Sequence, residues 1–138
     1  KNTFYTIILI LNCLNSFGQK VVFKGILYEH NSKTNTGKIK TLQNAQIIIP
    51  YSVPTTTDNA GKFKTETDAY KVGQSTKISV RKAGYEVVNI KDLDNVIAGN
   101  LDDVKIYLAP QNLLYEAQMK YYNLAKKSVE IEILRPKT

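Results

Sequence analysis

One cysteine, Cys13, and one histidine, His30, are the chain's whole supply of those two residue types in 138 residues, and tryptophan is absent. A lone thiol cannot close a disulfide within the chain, so ordinary core packing has to hold the fold. Nor can it build a cysteine-based zinc site, and a single imidazole leaves no histidine-rich one. No metal and no cofactor is predicted. Long apolar runs are scarce as well: residues 4–14 (FYTIILILNCL) form a run well short of the about 20 residues needed to cross roughly 30 Å of hydrocarbon. The chain is therefore read as having no permanent transmembrane span after processing.

That run has another meaning. It follows the basic start Lys1-Asn2-Thr3 and precedes Ser16-Phe17-Gly18, which sets small residues at the −3 and −1 positions of a cut before Gln19. This is the order of a secretory signal peptide, and residues 1–18 are expected to be removed on export. Cys13 leaves with them. Two alternatives stand beside this reading. Cys13 could be lipidated, although Asn12 precedes it where lipoprotein leaders normally carry a small residue. Residues 4–14 could also be a core element, although they follow neither a period of 2 nor one of 3.6.

The remaining chain, 19–138, is one domain's worth. The formal net charge of the whole sequence is +7, a balance that favours anionic partners. The lysines are scattered, however, as a solvated surface would have them, and no basic helix or aromatic strand of the RNA-binding kind is present. Nucleic acid is not predicted as a partner.

From residue 21 to residue 110 the chain reads as short strands separated by turn signals. Residues 21–29 (VVFKGILYE) are β-branched and aromatic around Gly25, 30–40 (HNSKTNTGKIK) read as a polar loop, and 45–49 (AQIII) form an apolar strand ended by Pro50. Residues 53–58 are threonine-rich, and Asp58-Asn59-Ala60-Gly61 supplies a tight turn into 62–65, a hairpin signal. Residues 77–81 (KISVR) alternate, Ala83-Gly84-Tyr85 marks a corner, 86–90 resume an extended pattern, 92–100 read as a loop, and 104–108 (VKIYL) alternate again. About seven short strands at intervals of roughly 8–15 residues predict an all-β, antiparallel, Ig-like or prealbumin-like sandwich.

Beyond Pro110 the period changes. Leu113, Leu114, Ala117, Tyr121, Leu124, Ala125 and Ser128 recur at spacings of three and four, which predicts an appended amphipathic helix over residues 111–128. Asn112 is the candidate cap, and Lys126 and Lys127 sit near the negative end of the dipole. Residues 129–138, with the alternating VEIEIL, are a tail or an extra strand. The apolar stripe must be buried against the protein's own sheet or against a partner.

The runs 42–49 (LQNAQIII), 55–63 (TTTDNAGKF) and 78–85 (ISVRKAGY), after a first strand carrying Gly25, together resemble the carboxypeptidase regulatory-like family. The resemblance covers residues 21–110 and implies a seven-stranded, transthyretin-like (prealbumin) β-sandwich. Its motifs carry structural roles: Asp58 and Gly61 build a turn, Phe63 points into the core beside Ile48, and the Tyr85 hydroxyl finds a backbone partner. In that family such domains sit beside peptidases or in front of outer-membrane transporter plugs and barrels, as scaffolds or docking domains.

Catalysis finds little to work with. His30, at the edge of the polar loop, is expected to be solvated. A zinc peptidase needs several His and Glu ligands, the transthyretin-like hydrolases that open a urate derivative use several histidines, and no G-x-S-x-G turn exposes a nucleophile. Asp92, Asp94, Asp102 and Asp103 flank one loop, but their spacing matches no EF-hand and a solvated loop is the expectation. The protein is thus expected to be a non-catalytic interaction or scaffold module, exported to the periplasm, outer membrane or cell surface of a Gram-negative bacterium, with a protein partner in an envelope assembly. A glycan-binding module is the alternative, as is an accessory domain of a larger exported peptidase or outer-membrane transporter. Candidate partner-binding residues are Tyr51, held between Pro50 and Pro54, and the helical set Leu113, Leu114, Ala117, Tyr121 and Leu124.

Overall fold

The computed structural model describes residues 19–125. The expected signal peptide (1–18) with Cys13, the last expected helical residues Lys126, Lys127 and Ser128, and the tail (129–138) lie outside the described residues. Within 19–125 the chain is mostly β, with one short helix at its C-terminal end.

The long strand β1 (Val21–Lys33) organises the rest. It is followed by β2 (Ile39–Thr41), β3 (Gln46–Ile48), β4 (Thr55–Thr56), β5 (Lys62–Thr67), β6 (Ser75–Thr76), β7 (Ser79–Arg81), β8 (Tyr85–Val87), β9 (Val96–Ile97) and β10 (Val104–Pro110), and then by helix α1 (Leu114–Ala125). The main sheet runs β2-β1-β10-β8, with β5 also paired to β1. A second sheet runs β4-β3-β7, and β6 pairs with β9 in a third.

The sequence patterns explain the inward faces. Val21, Phe23 and Leu27 of β1 alternate with half-buried neighbours, and Phe63, Thr65 and Thr67 of β5 alternate with exposed Lys62, Lys64 and Glu66. Ile106 and Leu108 of β10 complete the inner face of the main sheet, and Ile47 of β3 meets them from the second. One apolar cluster thus lies between open sheets, an arrangement consistent with a β-sandwich.

Two glycines hold the main sheet together. A Cβ on Gly25 would lie 2.6 Å from the Phe63 ring and 2.5 Å from the Val104 carbonyl oxygen, so β1 admits only glycine where that ring crosses it. Gly61 has φ of +75°, and a Cβ there would come within 2.7 Å of the Leu27 carbonyl oxygen.

Several sequence expectations are corrected. Ten strands, many of two or three residues, take the place of seven among the described residues. The main sheet is mixed rather than wholly antiparallel, because β1 and β10 run parallel in the register Gly25↔Val104 to Glu29↔Leu108. Nearly the whole domain lies between these two strands, which meets a parallel pair's need for a long connection.

The expected loop over 30–40 is largely strand. β1 continues to Lys33 and turns back through Thr34–Lys38 into β2, with a bulge between Tyr28 and Lys33 where Asn31 adopts φ of +61°. Asn tolerates that left-handed region better than most residues. The Asp58 turn forms as expected, its carboxylate accepting from Ala60 and Lys62 amides at 2.9 Å each. It is no hairpin, however: β4 pairs with β3 and β5 with β1, so the turn carries the chain from one sheet to the other. Thr57 holds the near side, donating to the Leu42 carbonyl at 2.8 Å and accepting from the Ala45 amide at 3.0 Å.

In β3 it is Ile47, not Ile48, that is buried next to the core, a one-residue difference in parity. The Tyr85 hydroxyl bonds to the Glu29 carboxylate at 2.9 Å rather than to backbone. The expected loop over 92–100 contains part of a 3-10 turn, Ile90–Leu93, and β9. Asn112 lies within a second 3-10 turn, Gln111–Leu113, ahead of α1 rather than capping it.

Replacing Gly61 by alanine combines left-handed strain with a main-chain clash, and is expected to cost about 3 kcal/mol. Gly84, with φ of +80° and open space around it, is expected to cost only about 1 kcal/mol when replaced by alanine. Urea unfolding of Gly61→Ala and Gly84→Ala checks the ranking, which equal losses would overturn.

Candidate functional site

Helix α1 lies on the outer face of the main sheet, away from the principal core. Ala117 packs against Val88 and Ala109, with Tyr107, Leu114 and Tyr121 around them. The helical stripe therefore faces the protein's own sheet. Leu114 and Ala117 are in this contact, and Leu113 is 44% exposed at the rim. Leu124 belongs to α1, but its side chain lies outside the described residues. Tyr122, 3% exposed, is the most buried aromatic of the helix and was not among the candidates.

The period-2 rule sends Tyr28 and His30 of β1 and Tyr107 of β10 to this same outer face. Tyr28 stacks on Tyr107 with ring centroids 5.5 Å apart. Tyr121 reaches down from α1 to within 5.7 Å of Tyr107, and His30 stands edge-on to both Tyr107 and Tyr121 at 6.5 Å each. His30 is thus half-buried among aromatic rings on a strand, which corrects the expectation of a solvated loop residue.

Next to this cluster opens a cleft of about 390 Å³. Ile39, Tyr107 and Tyr121 supply apolar surface, Glu29 and His30 a carboxylate and an imidazole, and Asn31, Ser32 and Lys33 the rest of the polar lining. The bulge at Asn31 brings those three residues to the cleft, a use of irregular strands that recurs beside binding sites.

The helix is held over the cleft by polar bonds to the 3-10 turn at Ile90–Leu93. The Tyr121 hydroxyl donates to the Asp92 carboxylate at 2.7 Å, and the Lys91 amide donates to the Tyr122 hydroxyl at 3.3 Å. Asp92 also accepts from the Asn89 side-chain amide at 3.0 Å. Asn89, 1% exposed, extends the pairing of β8 with β10 by side chain: it donates to the Lys105 carbonyl at 2.8 Å and accepts from the Tyr107 amide at 2.9 Å. The strand that carries Tyr107 and the helix that carries Tyr121 are therefore linked through Asn89 and Asp92.

Burial, and then the bond to Asp92, push the Tyr121 hydroxyl above its ordinary range, so it stays a donor. Burial, and then the charge of Lys120, hold the His30 imidazole below the usual 6.5. Burial of Glu29, at the edge of the cleft, is outweighed by hydrogen bonds from Tyr85 and Ser32 and by Lys40, whose Nζ lies 3.5 Å away, so its carboxyl falls below the ordinary value.

Tyr51 is elsewhere. It projects from the β3–β4 connection, 91% exposed, near the end of the domain where β1 begins. The helix contacts His30, near the other end of β1. The predicted residues thus divide between two ends of the domain. Tyr28, His30, Tyr107, Ile39 and Asn89 complete the cleft and its support, and only the alternation of the two strands carried a signal for the first three.

Among the described residues, no group of three or more His, Cys, Asp or Glu side chains gathers where it could hold a metal ion. Among the same residues, no helix is long and apolar enough to cross a membrane. Comparison of the chain with protein-family models, with curated proteins and with solved structures finds no match.

His30 and the polar bridge give two expected outcomes. Because the folded state takes up the His30 proton less readily than the unfolded chain, stability should be full above about pH 6.5, fall as pH drops through that value, and level off below the folded pKa. His30→Gln should flatten that segment of a pH series of urea midpoints, and an unchanged slope would contradict the assignment. Asn89→Leu leaves the Tyr107 amide and Lys105 carbonyl unpaired and should cost about 3 kcal/mol, against about 1 kcal/mol for Tyr121→Phe, measured by the same unfolding transitions.

Proposed function

We propose that the protein is an exported, non-catalytic interaction module of the carboxypeptidase regulatory-like, prealbumin-like kind, which docks a protein partner in a bacterial envelope assembly. The motifs that suggested this family carry structural duties: Gly25 lies under Phe63, Asp58 and Gly61 pass the chain between sheets, and Gly84-Tyr85 turns a corner. The observation that carries the binding reading is the cleft beside α1, where Tyr107, Tyr121 and Ile39 form an apolar floor with Asn31, Ser32 and Lys33 alongside. An aromatic floor with a polar margin is the composition of an interface centre, where tyrosines supply contact area and a hydroxyl together.

A photo-crosslinking residue at position 39 of the full chain, irradiated in envelope fractions, should trap one saturable adduct. Tyr107→Ala should reduce that adduct at least tenfold, and Tyr51→Ser should leave it unchanged. Failure of Tyr107→Ala to alter trapping would overturn the assignment of the cleft. The same tyrosine faces and polar margin suit a sugar ring, which favours glycan binding as the second reading. A glycan array with signals abolished by Tyr107→Ala, and no protein adduct, would select it.

A further inference from the structure

We propose that the end of the domain at which β1 begins is a membrane-surface contact, where Tyr51, Val53, Val72 and Leu101 enter the interfacial layer of a lipid bilayer. This inference is independent of the cleft. The four side chains are 91%, 85%, 76% and 89% exposed, the most exposed large apolar residues among those described. They belong to three separate connections that are tied together. The Tyr70 hydroxyl donates to the Pro50 carbonyl at 2.6 Å, while its ring meets Phe23 of β1 edge-on at 5.4 Å. The Gly73 amide donates to the Ala98 carbonyl at 3.0 Å, and the Gly99 amide to the Val22 carbonyl at 2.9 Å.

The tips are presented by a shaped backbone. Ser52 donates its amide to the Ile49 carbonyl at 3.1 Å, closing a turn with Pro50 at its second position and Tyr51 at its third with φ of +63°. A bulky side chain is uncommon in that left-handed region, where glycine or asparagine would be at ease. The turn thus keeps Tyr51 outermost despite the strain. Val72 is set against Gly99, where an added Cβ would lie 3.3 Å from its Cγ1.

Three features favour a bilayer as the occupant. The apolar side chains stand at the tips of separate loops, interspersed with Asp68, Lys71, Asp102 and Asp103, so they resemble separate anchors more than one continuous hydrophobic face. Tyrosine and aliphatic residues beside lysine suit the headgroup boundary, where an aromatic ring with a hydroxyl is at home. The apolar run 4–14 also joins the domain at this end, through Gln19 and Lys20.

The test places a polarity-sensitive fluorophore on single cysteines in a Cys13→Ser background of the full chain, using Val53→Cys, Leu101→Cys and, as the control at the other end, Leu113→Cys. The probe membranes are vesicles of phosphatidylethanolamine and phosphatidylglycerol. Labels at positions 53 and 101 should shift to the blue with a severalfold rise in emission, and the label at 113 should not respond. Serine at positions 51 and 72 should reduce the response at 101 severalfold. Labels at 53 and 101 that stay water-like while the protein sediments with vesicles would overturn the proposal, because binding would then come from another segment. So would absence of vesicle binding, or a response only to lipid-free envelope protein.

Discussion

The main chain of Leu27 is where the architecture is decided. Along one edge of β1, residues 21–26 pair with β5 and residues 28–33 face β2, so one edge serves two strands in succession. Leu27 is the point of transfer: its N–H donates to the Gly61 carbonyl at 2.8 Å, and its carbonyl accepts from the Leu42 amide at 3.1 Å. Its side chain is fully buried. Gly61 can come this close only because it lacks a Cβ, which makes the turn at Asp58 a support of the sheet as well as a link between sheets. Beyond this junction β2 is free to place Ile39 at the cleft.

A second constraint works on the opposite edge. β8 pairs with β10 for only three residues before the chain turns into the 3-10 segment. Asn89 continues the pairing with its side chain, leaving the adjacent Asp92 in position to receive Tyr121 from the helix. A fully buried amide is stable only when its donors and acceptor are all engaged, and here the same engagement sets the height of α1 over the sheet. The cleft is therefore a product of both edges of the main sheet: the bulged end of β1 forms one side, and the helix held through Asn89 forms the other.

What could be read in the sequence was local. The alternation of VKIYL in β10, the Asp58 to Gly61 turn and the three-and-four spacing beyond Pro110 each belong to a single element, and each appears in the structure. Harder to read were features decided by distant partners. Residues 30–33 look like loop because they are polar, yet they continue β1, with β2 and the aromatic face beside them. In the run Ile47-Ile48-Ile49 the preceding Gln46 is the one polar mark of parity, and the burial follows it: Ala45, Ile47 and Ile49 are buried, while Gln46 and Ile48 are only half-buried. Asn89 reads as one more strand residue in EVVNI, and its role exists only because Lys105 and Tyr107 lie opposite. The aromatic cluster was hidden for the same reason: Tyr28, His30, Tyr107 and Tyr121 are far apart in the chain.

The parallel pairing of β1 with β10 bears on how the molecule comes to exist. The first strand cannot find its central neighbour until β10 has been made, because Gly25 waits for Val104 and Glu29 for Leu108. Contacts of such long sequence separation slow folding, since the loop entropy is lost before the pairing repays it. A growing chain of this design leaves one edge of β1 unpaired until β10 has been made, and an unpaired strand edge is a template for pairing with other chains.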